Sequence, residues 1–392
     1  MLRLSCLILL SCTFAQMPVL GSPYQAALKE YKPAPPQKEV RALWVTRTSI
    51  QNTKSIQTVI DSMRRNNLNT AMVQVRGRGE SYYRSDFVPR AQGLQPGLDP
   101  LGEFLKLAKQ SGISVHAWVN VFLAADRETI RSAPREHLIY VHSDWFLRDR
   151  NGRSMLELSR AELVRADVEG AFLDPSNEAV RQYNVRVVGE ILERYAVDGI
   201  HLDYIRYPSS QSGTIYDFGM PPSNPKTQKD FVYEMQVMQR SRRDFVTQMV
   251  AEIRSEVRRK KPQAILSAAV WPNKQKIEQR VFQMWPDWLH RGLIDYAFLM
   301  SYYDTIQRFD ERLDPFFDPR INSRMILGVG LYRNPPPAVT LHQLRTSRAI
   351  GAAGICYFQA NWFQGKDAPV REKNHQFPQM FATWSEPGLT AN

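Results

Sequence analysis

Eight short apolar runs with strand character recur along this chain, and helical stretches separate most of them. The runs are residues 40–47 (VRALWVTR), 70–76 (TAMVQVR), 114–120 (SVHAWVN), 200–205 (IHLDYI), 264–270 (AILSAAV), a segment within 294–303, 325–332 (MILGVGLY) and 354–359 (GICYFQ). Helical patterns lie at 55–67, with Ile56, Ile60 and Met63 on one face, and at 99–112, capped by Asp99 and ended by Gly112. Others lie at 178–195, 230–260, 276–291 (broken near Pro286) and 341–350. Such alternation predicts a parallel sheet with crossover helices, and eight repeats predict a closed α/β (β/α)8 TIM barrel. The alternative, a doubly wound open sheet, lacks the glycine-rich dinucleotide fingerprint expected after its first strand. Two long segments, 121–177 and 209–229, interrupt the repeat and are expected to form loops after strands three and four, over one end of the fold.

The ends of the chain set its expected location. Arg3 and the apolar residues 4–14 read as a signal peptide, closed by small-residue cleavage sites at 13–15 or 19–21, so residues 1–21 are assigned to it. The apolar core is too short to span a bilayer, and no transmembrane helix is expected in the mature protein. The expectation is export to the periplasm, the cell envelope or the extracellular space. Lipidation at Cys12, in a loose lipobox, is the weaker alternative because it leaves a very short signal. Residues 22–38, with Pro33, Pro35 and Pro36, read as a linker, 39–385 as the catalytic domain and 386–392 as a tail.

Beyond the signal only Cys356 remains, in an apolar strand, which excludes a disulfide framework and a cysteine metal site. The formal net charge of +12 suits an anionic partner. Without a nucleic-acid motif or a long basic run, an acidic polysaccharide is the expected partner and nucleic acid is not. The chain is expected to act as a monomer.

Parity sorts the residues near the strand ends, because side chains two apart on a strand share a face. Gln74 pairs with Arg76, His116 with Trp118 and Asn120, His201 with Asp203, Met300 with Tyr302 and Asp304, and Tyr357 with Gln359; Trp271 follows the fifth strand. Leu202 and Tyr204 are expected to point away from Asp203. Polar and aromatic groups at C-terminal strand ends, above apolar strand middles, are what a barrel active site ringed by sugar-stacking rings needs. Glycosidic hydrolysis needs two carboxyl groups across the scissile bond. Asp203 leads as nucleophile or base, with Asp304 or Glu80 as the general acid. Arg76, His116, Asn120, His201 and Tyr302 are expected to position the sugar, and Trp118, Trp271 and Tyr357 to stack on it. Asp174 and Arg206 complete the substrate-binding set; the alternative reading of Asp203 is a structural carboxylate paired with Arg76 or Arg206. His116, His201 and Asp203 are the one grouping that a metal could use. With seven histidines, no HxH and no HExxH, neither a metal nor a cofactor is expected. No GxSxG motif points to a serine nucleophile.

Several of these stretches resemble the core signature of the bacterial glycosyl-hydrolase-like ten family. They are Arg41-Ala42-Leu43-Trp44-Val45, Val73-Gln74-Val75-Arg76, His116-Ala117-Trp118-Val119-Asn120, Leu173-Asp174-Pro175-Ser176-Asn177 with Arg181, the run from Tyr195 through Asp203-Tyr204, and the strand from Asp295 to Tyr302. The resemblance extends over about residues 39–363. It implies a TIM-barrel glycosidase of the cell envelope, related to a divisome-associated hydrolase of peptidoglycan glycan strands stripped of stem peptides. It aligns Asp203 with the family's prominent acidic position and Glu80 with a position where many members carry Asp. Tyr204 stands where many members have a second Asp, and Val121 where many have Pro. The expected function is therefore an exported glycoside hydrolase acting on an envelope or extracellular polysaccharide, peptidoglycan glycan first. The competing expectation, motivated by Tyr204, is a glycan-binding barrel without hydrolytic activity.

Overall fold

The computed structural model describes residues 22–30, 39–210, 214–220 and 226–363. The segments read as signal peptide and tail, and residues 364–385 of the domain, lie outside the described residues. Among the described residues, ten strands run in chain order: β1 (Val40–Val45), β2 (Thr70–Arg76), β3 (Ser114–Asn120), β4 (Leu123–Ala125), β5 (Ala171–Phe172), β6 (Gly199–Asp203), β7 (Ile265–Val270), β8 (Tyr296–Leu299), β9 (Met325–Gly330) and β10 (Gly354–Phe358). Eight of them, β1, β2, β3, β6, β7, β8, β9 and β10, pair in parallel in that order, and β10 closes on β1. β4 and β5 form a separate antiparallel pair. The (β/α)8 expectation and the eight strand assignments thus agree with the structure, with ends that shift by a few residues.

Local chemistry explains the helices that separate the strands. Asn52 and Ser55 form a capping box at the start of Thr53–Arg65, which buries Ile56, Val59, Ile60 and Met63. Asp99 caps Pro100–Gln110 by accepting the Gly102 N–H at 3.1 Å. Two apolar layers result. Outward-facing strand residues such as Leu43, Val73, Val115, Leu202 and Tyr357 pack beneath the helices. Inward-facing ones, including Ala42, Trp44, Met72, Trp118, Ala269, Phe298, Ile326 and Cys356, fill the barrel. Cys356 is therefore a buried interior residue.

Two irregularities overrule strand parity. The pairing of β2 with β3 shifts register between Gln74 and Arg76, so these two residues do not share a face. β6 ends at Asp203 because Tyr204 is left-handed, with φ of 49°. The alternation expected through residue 205 stops there.

The segment 121–177 is built onto the barrel rim. The Val121 N–H donates to the Asp203 carbonyl (2.8 Å), Leu173 N–H to Phe122 O (2.8 Å), and β4 and β5 complete the platform. Within the segment read as linker, Pro23–Glu30 forms a helix whose Tyr24 is fully buried, edge-on to Phe317 and donating to Asp310. Among the described residues no helix is long and apolar enough to cross a membrane.

The placement of β6 depends on Gly199. A Cβ there would lie 2.5 Å from the Ile265 carbonyl oxygen and 2.5 Å from His116 Nδ1, and backbone cannot yield cheaply. Gly199→Ala is expected to destabilise the fold by roughly 1–3 kcal/mol, the range for overpacking. Chemical denaturation measures this, and an unchanged midpoint would contradict the packing described for β6.

Candidate active site

A cavity of about 400 Å³ opens at the C-terminal ends of the barrel strands. Its walls come from nearly every strand end: Trp44 and Arg47, Gln74 and Arg78, Trp118, Asp203 with Tyr204 and Arg206, Trp271, Met300 with Tyr302, Tyr332 with Arg333, and Phe358. One further wall residue, Glu169, sits just before β5 on the rim platform.

Asp203 lies at the floor of this cavity, 9% exposed. Its Oδ1 accepts the Tyr204 backbone N–H at 2.7 Å and its Oδ2 accepts the Trp118 indole N–H at 3.1 Å. Burial nevertheless pushes its carboxyl up to about 6, with the negative charge of Glu169 adding to the rise. The Tyr204 N–H, Arg206 and Arg78 counter it only in part. The left-handed turn at Tyr204 is what aims that N–H back at the carboxylate. Strain of this kind in a bulky residue persists only where its surroundings enforce it. Here the Tyr204 ring is held between Arg206 (4.8 Å) and Arg78 (5.7 Å), edge-on to Phe172. Tyr204 therefore lines the cavity beside Asp203, against the expectation from parity.

Glu169 is the second carboxylate. Its side chain keeps 38% of its surface open to the cavity, and Arg206 Nη2 donates to its Oε1 at 2.8 Å. Enclosure in the cleft works against its charge, but the Arg206 guanidinium more than offsets this and holds its pKa below the ordinary glutamate value. The two carboxyl groups are thus driven apart in acidity by different surroundings in one cavity, a pattern that separates acid from base in many enzymes.

Beneath Asp203 lies a fixed polar layer. His201 Nε2 accepts the Trp44 indole N–H at 2.9 Å, which places the imidazole proton on Nδ1, 2.9 Å from Ser267 Oγ. Burial without a counter-charge, with His116 nearby, keeps His201 well below the ordinary histidine range and therefore neutral. Asn120 accepts from Trp118 (3.1 Å) and Gln74 (3.3 Å) and donates to Gly77 O (2.8 Å). His116, Asn120 and His201 are fully buried and do not line the cavity; Asn120 and His201 orient the wall residues Trp118, Gln74 and Trp44.

Of the residues expected from sequence, Asp203, Trp118, Arg206, Trp271 and Tyr302 share the cavity wall. One face of Trp271 is capped by the Lys276 ammonium, 3.4 Å from the ring centroid, and burial together with Arg206 brings that ammonium down to about 8. Other expected residues lie elsewhere. The register shift turns Arg76 outward, where it donates to the Asn120 carbonyl and to Asn184 Oδ1 (3.3 Å) and covers the Tyr183 ring. Tyr357 also faces outward, because β10 points Cys356 and Phe358 into the barrel. Asp174 accepts from Ser176 N and Oγ and shapes the turn before the helix Glu178–Arg194. Glu80 pairs with Arg47 (3.4 Å) and accepts the Arg78 N–H (2.7 Å) in a neighbouring depression. Asp304 follows β8 but is not part of the cavity wall. Sequence reasoning did not single out Glu169, Trp44, Arg78 or Phe358. Even-position parity on β1 and β10 was a usable signal for Trp44 and Phe358, whereas Glu169 lies on an irregular turn that carries no periodicity. Among the described residues, no three His, Cys, Asp or Glu side chains converge to hold a metal ion.

An eight-stranded parallel barrel with an aromatic-walled cavity and two carboxylates at its C-terminal end defines the architecture of a barrel glycoside hydrolase. Residues 39–334 match the family Glycosyl hydrolase-like 10, and the chain belongs to that family. It is 23% identical to glycosyl hydrolase DigH of Escherichia coli K12 over 313 residues, 71% of this chain and 66% of that protein. Glycosyl hydrolase YngK of Bacillus subtilis is 22% identical over 258 residues, 60% of this chain and 46% of YngK. A 134-residue stretch is 29% identical to an S-layer-related protein of Niallia circulans, covering 34% of this chain and 8% of that protein. The chain thus spans two thirds or less of the length of these relatives. Among solved structures, the PgaB glycoside hydrolase domain of Bordetella bronchiseptica superimposes with a TM-score of 0.58 at 14% identity, covering 88% of this chain and 98% of that domain. The β-amylase catalytic domain of Paenibacillus polymyxa gives 0.53 at 9% identity, covering 86% and 98%. Both likenesses concern the fold.

Raising the pKa of Asp203 couples stability to pH. Between the unfolded value of 3.8 and the folded value of about 6, the folded state binds more protons than the unfolded one. Stability is therefore greatest below pH 4 as far as this group is concerned, falls as pH rises to about 6, and stays lower above it. Asp203→Asn is expected to gain on the wild type by on the order of 3 kcal/mol between pH 4 and pH 8, from 1.36 kcal/mol per unit. Urea denaturation at both pH values measures this, and a difference independent of pH would contradict the assigned environment.

Proposed function

We propose that this protein is an exported glycoside hydrolase that cleaves glycosidic bonds of a cell-envelope polysaccharide, with peptidoglycan glycan strands as the first candidate. The observation that carries the reading is the unequal carboxyl pair, Asp203 near pH 6 and Glu169 held ionised by Arg206, in one aromatic-walled cavity. Asp203 acts as the general acid. It holds a proton up to about pH 6 and gives it to the departing glycosidic oxygen as the bond breaks. Glu169 stays negative and works from the other side of the sugar, as nucleophile or as base toward water. This assignment replaces Asp304 and Glu80 as partners of Asp203 and reverses the expected role of Asp203. Trp118, Tyr302 and Phe358 offer ring faces and edges to the pyranose, and Gln74 offers an amide.

Four arginines, Arg47, Arg78, Arg206 and Arg333, line the same cavity, and the chain carries a net charge of +12. Both features favour a glycan bearing carboxylates, as peptidoglycan does through its lactyl groups. The signal-like residues 1–21, and the name of a relative that is an S-layer-related protein, support export to the envelope or cell surface.

The test incubates purified protein with intact and amidase-stripped peptidoglycan. Asp203→Asn and Glu169→Gln are each expected to lose activity by about 10²–10⁴-fold, the usual worth of a proton-transfer group, or more. Asp304→Asn and Glu80→Gln should keep most of theirs. Fragments released equally by wild type and Asp203→Asn would overturn the reading. The wild-type rate is also expected to fall as pH rises through about 6, because Asp203 then loses the proton it must donate. A rate that instead rises through that range would exclude Asp203 as the acid.

A further inference from the structure

A second cavity, of about 410 Å³, lies on the outer side of the rim platform and shares no lining residue with the catalytic one. One wall is a single face of the helix Glu178–Arg194, presenting Ala179, Gln182, Tyr183 and Arg186 at the three- and four-residue spacing that aligns side chains on a helix. The opposite wall carries His142 and Trp145, stacked with ring centroids 3.8 Å apart and planes 6° from parallel. Trp145 meets Tyr183 edge-on at 5.8 Å, and Tyr183 meets Phe87 edge-on at 5.6 Å.

These rings do not form a closed core. Phe87, His142 and Trp145 are each half-buried around open space, whereas a packed interior leaves few voids larger than a water molecule. Polar groups complete the groove. Arg186 lies over the Phe87 ring at 4.5 Å, is exposed, and makes no ion pair among the described residues. Glu136 and Gln182 are exposed beside it. Flat ring faces with hydrogen-bonding groups at their edges match a pyranose, whose C–H faces are apolar and whose hydroxyls are equatorial to them. Arg186 adds a site for a carboxylate. The groove lacks the paired, unequally acidic carboxyl groups of the catalytic cavity, so it is suited to hold a sugar and not to cleave it.

We propose that this groove is a second carbohydrate-binding site that grips a segment of the same polymeric glycan outside the catalytic cleft. The ligand class rests on the hydrolase reading above, but the site is tested by binding alone. Polymer held there raises the local concentration of glycan at the cleft, an advantage that a short soluble fragment does not share.

The experiment measures retention of full-length Asp203→Asn protein on amidase-stripped peptidoglycan sacculi, alone and with Trp145→Ala or Ala179→Trp added. Ala179→Trp fills the groove from an exposed helix position and removes no packing. Both additions are expected to weaken retention by about tenfold or more, a loss of the size one good stacking contact supplies. In the otherwise wild-type protein, both should leave hydrolysis of a short soluble glycan fragment within about twofold, and Ala179→Trp should leave the melting temperature unchanged. Undiminished retention in Ala179→Trp, or no retention of the Asp203→Asn parent, would overturn the proposal. So would equal losses of retention, short-fragment hydrolysis and melting temperature, which mark a structural role. A wild type that cleaves nothing yet loses retention with Trp145→Ala would instead defeat the hydrolase reading and leave the second site standing.

Discussion

The Arg206–Glu169 ion pair is the contact on which the cavity at the C-terminal strand ends depends. Arg206 is itself buried, so its charge is strong where it acts, and its Nη2 donates to Glu169 at 2.8 Å. That keeps Glu169 ionised while leaving Asp203, at the floor, short of a counter-charge. Burial raises the Asp203 pKa, and the negative charge of the paired Glu169 adds to the rise. The Tyr204 ring, packed between Arg206 and Arg78, fixes the guanidinium and in doing so forces its own backbone into the left-handed turn that donates to Asp203. Arg78 is tied from behind by Asp126 at 3.1 Å, and burial notwithstanding, its neighbours keep it charged.

This arrangement gives a physical account of the position where the chain departs from many relatives. An acidic residue after Asp203 would place a third carboxylate beside Glu169 and Asp203. Tyr204 puts a neutral ring there, since burial raises its phenol to about 12, and that ring stacks against cations. The cavity's other carboxylate, Glu169, lies on the rim platform just before β5, which pairs with β4. The long segment between β3 and β6 is thus part of the site and part of the fold at once. Its outer side carries the aromatic groove, so one insertion contributes to both cavities.

The barrel was legible in the sequence because its strands announce themselves one by one: each is an apolar run of ordinary length bounded by capped helices. The floor of the site was legible for the same reason, as Trp118 and Asp203 sit on regular strands where parity holds. Parity failed where the backbone is irregular. A register shift after Gln74 turns Arg76 outward, and the turn at Tyr204 brings inward a residue counted as facing away. Tyr357 was misplaced because polarity was allowed to outweigh the apolar alternation of β10, in which Cys356 and Phe358 face in. Glu169 could not be found by periodicity at all. It belongs to a segment whose path is set by contacts between residues about 50 apart in sequence, such as Leu123 with Phe172.

The most direct test of this account is a crystal structure of Asp203→Asn bound to an uncleaved oligosaccharide of stripped peptidoglycan glycan. The account predicts one glycosidic oxygen within hydrogen-bonding reach, about 3 Å, of the residue 203 side chain, with Glu169 on the far side of the adjoining sugar ring. A glycan seated in the cavity with its glycosidic oxygen against Asp304 or Glu80, and with Glu169 remote from the ring, would contradict it.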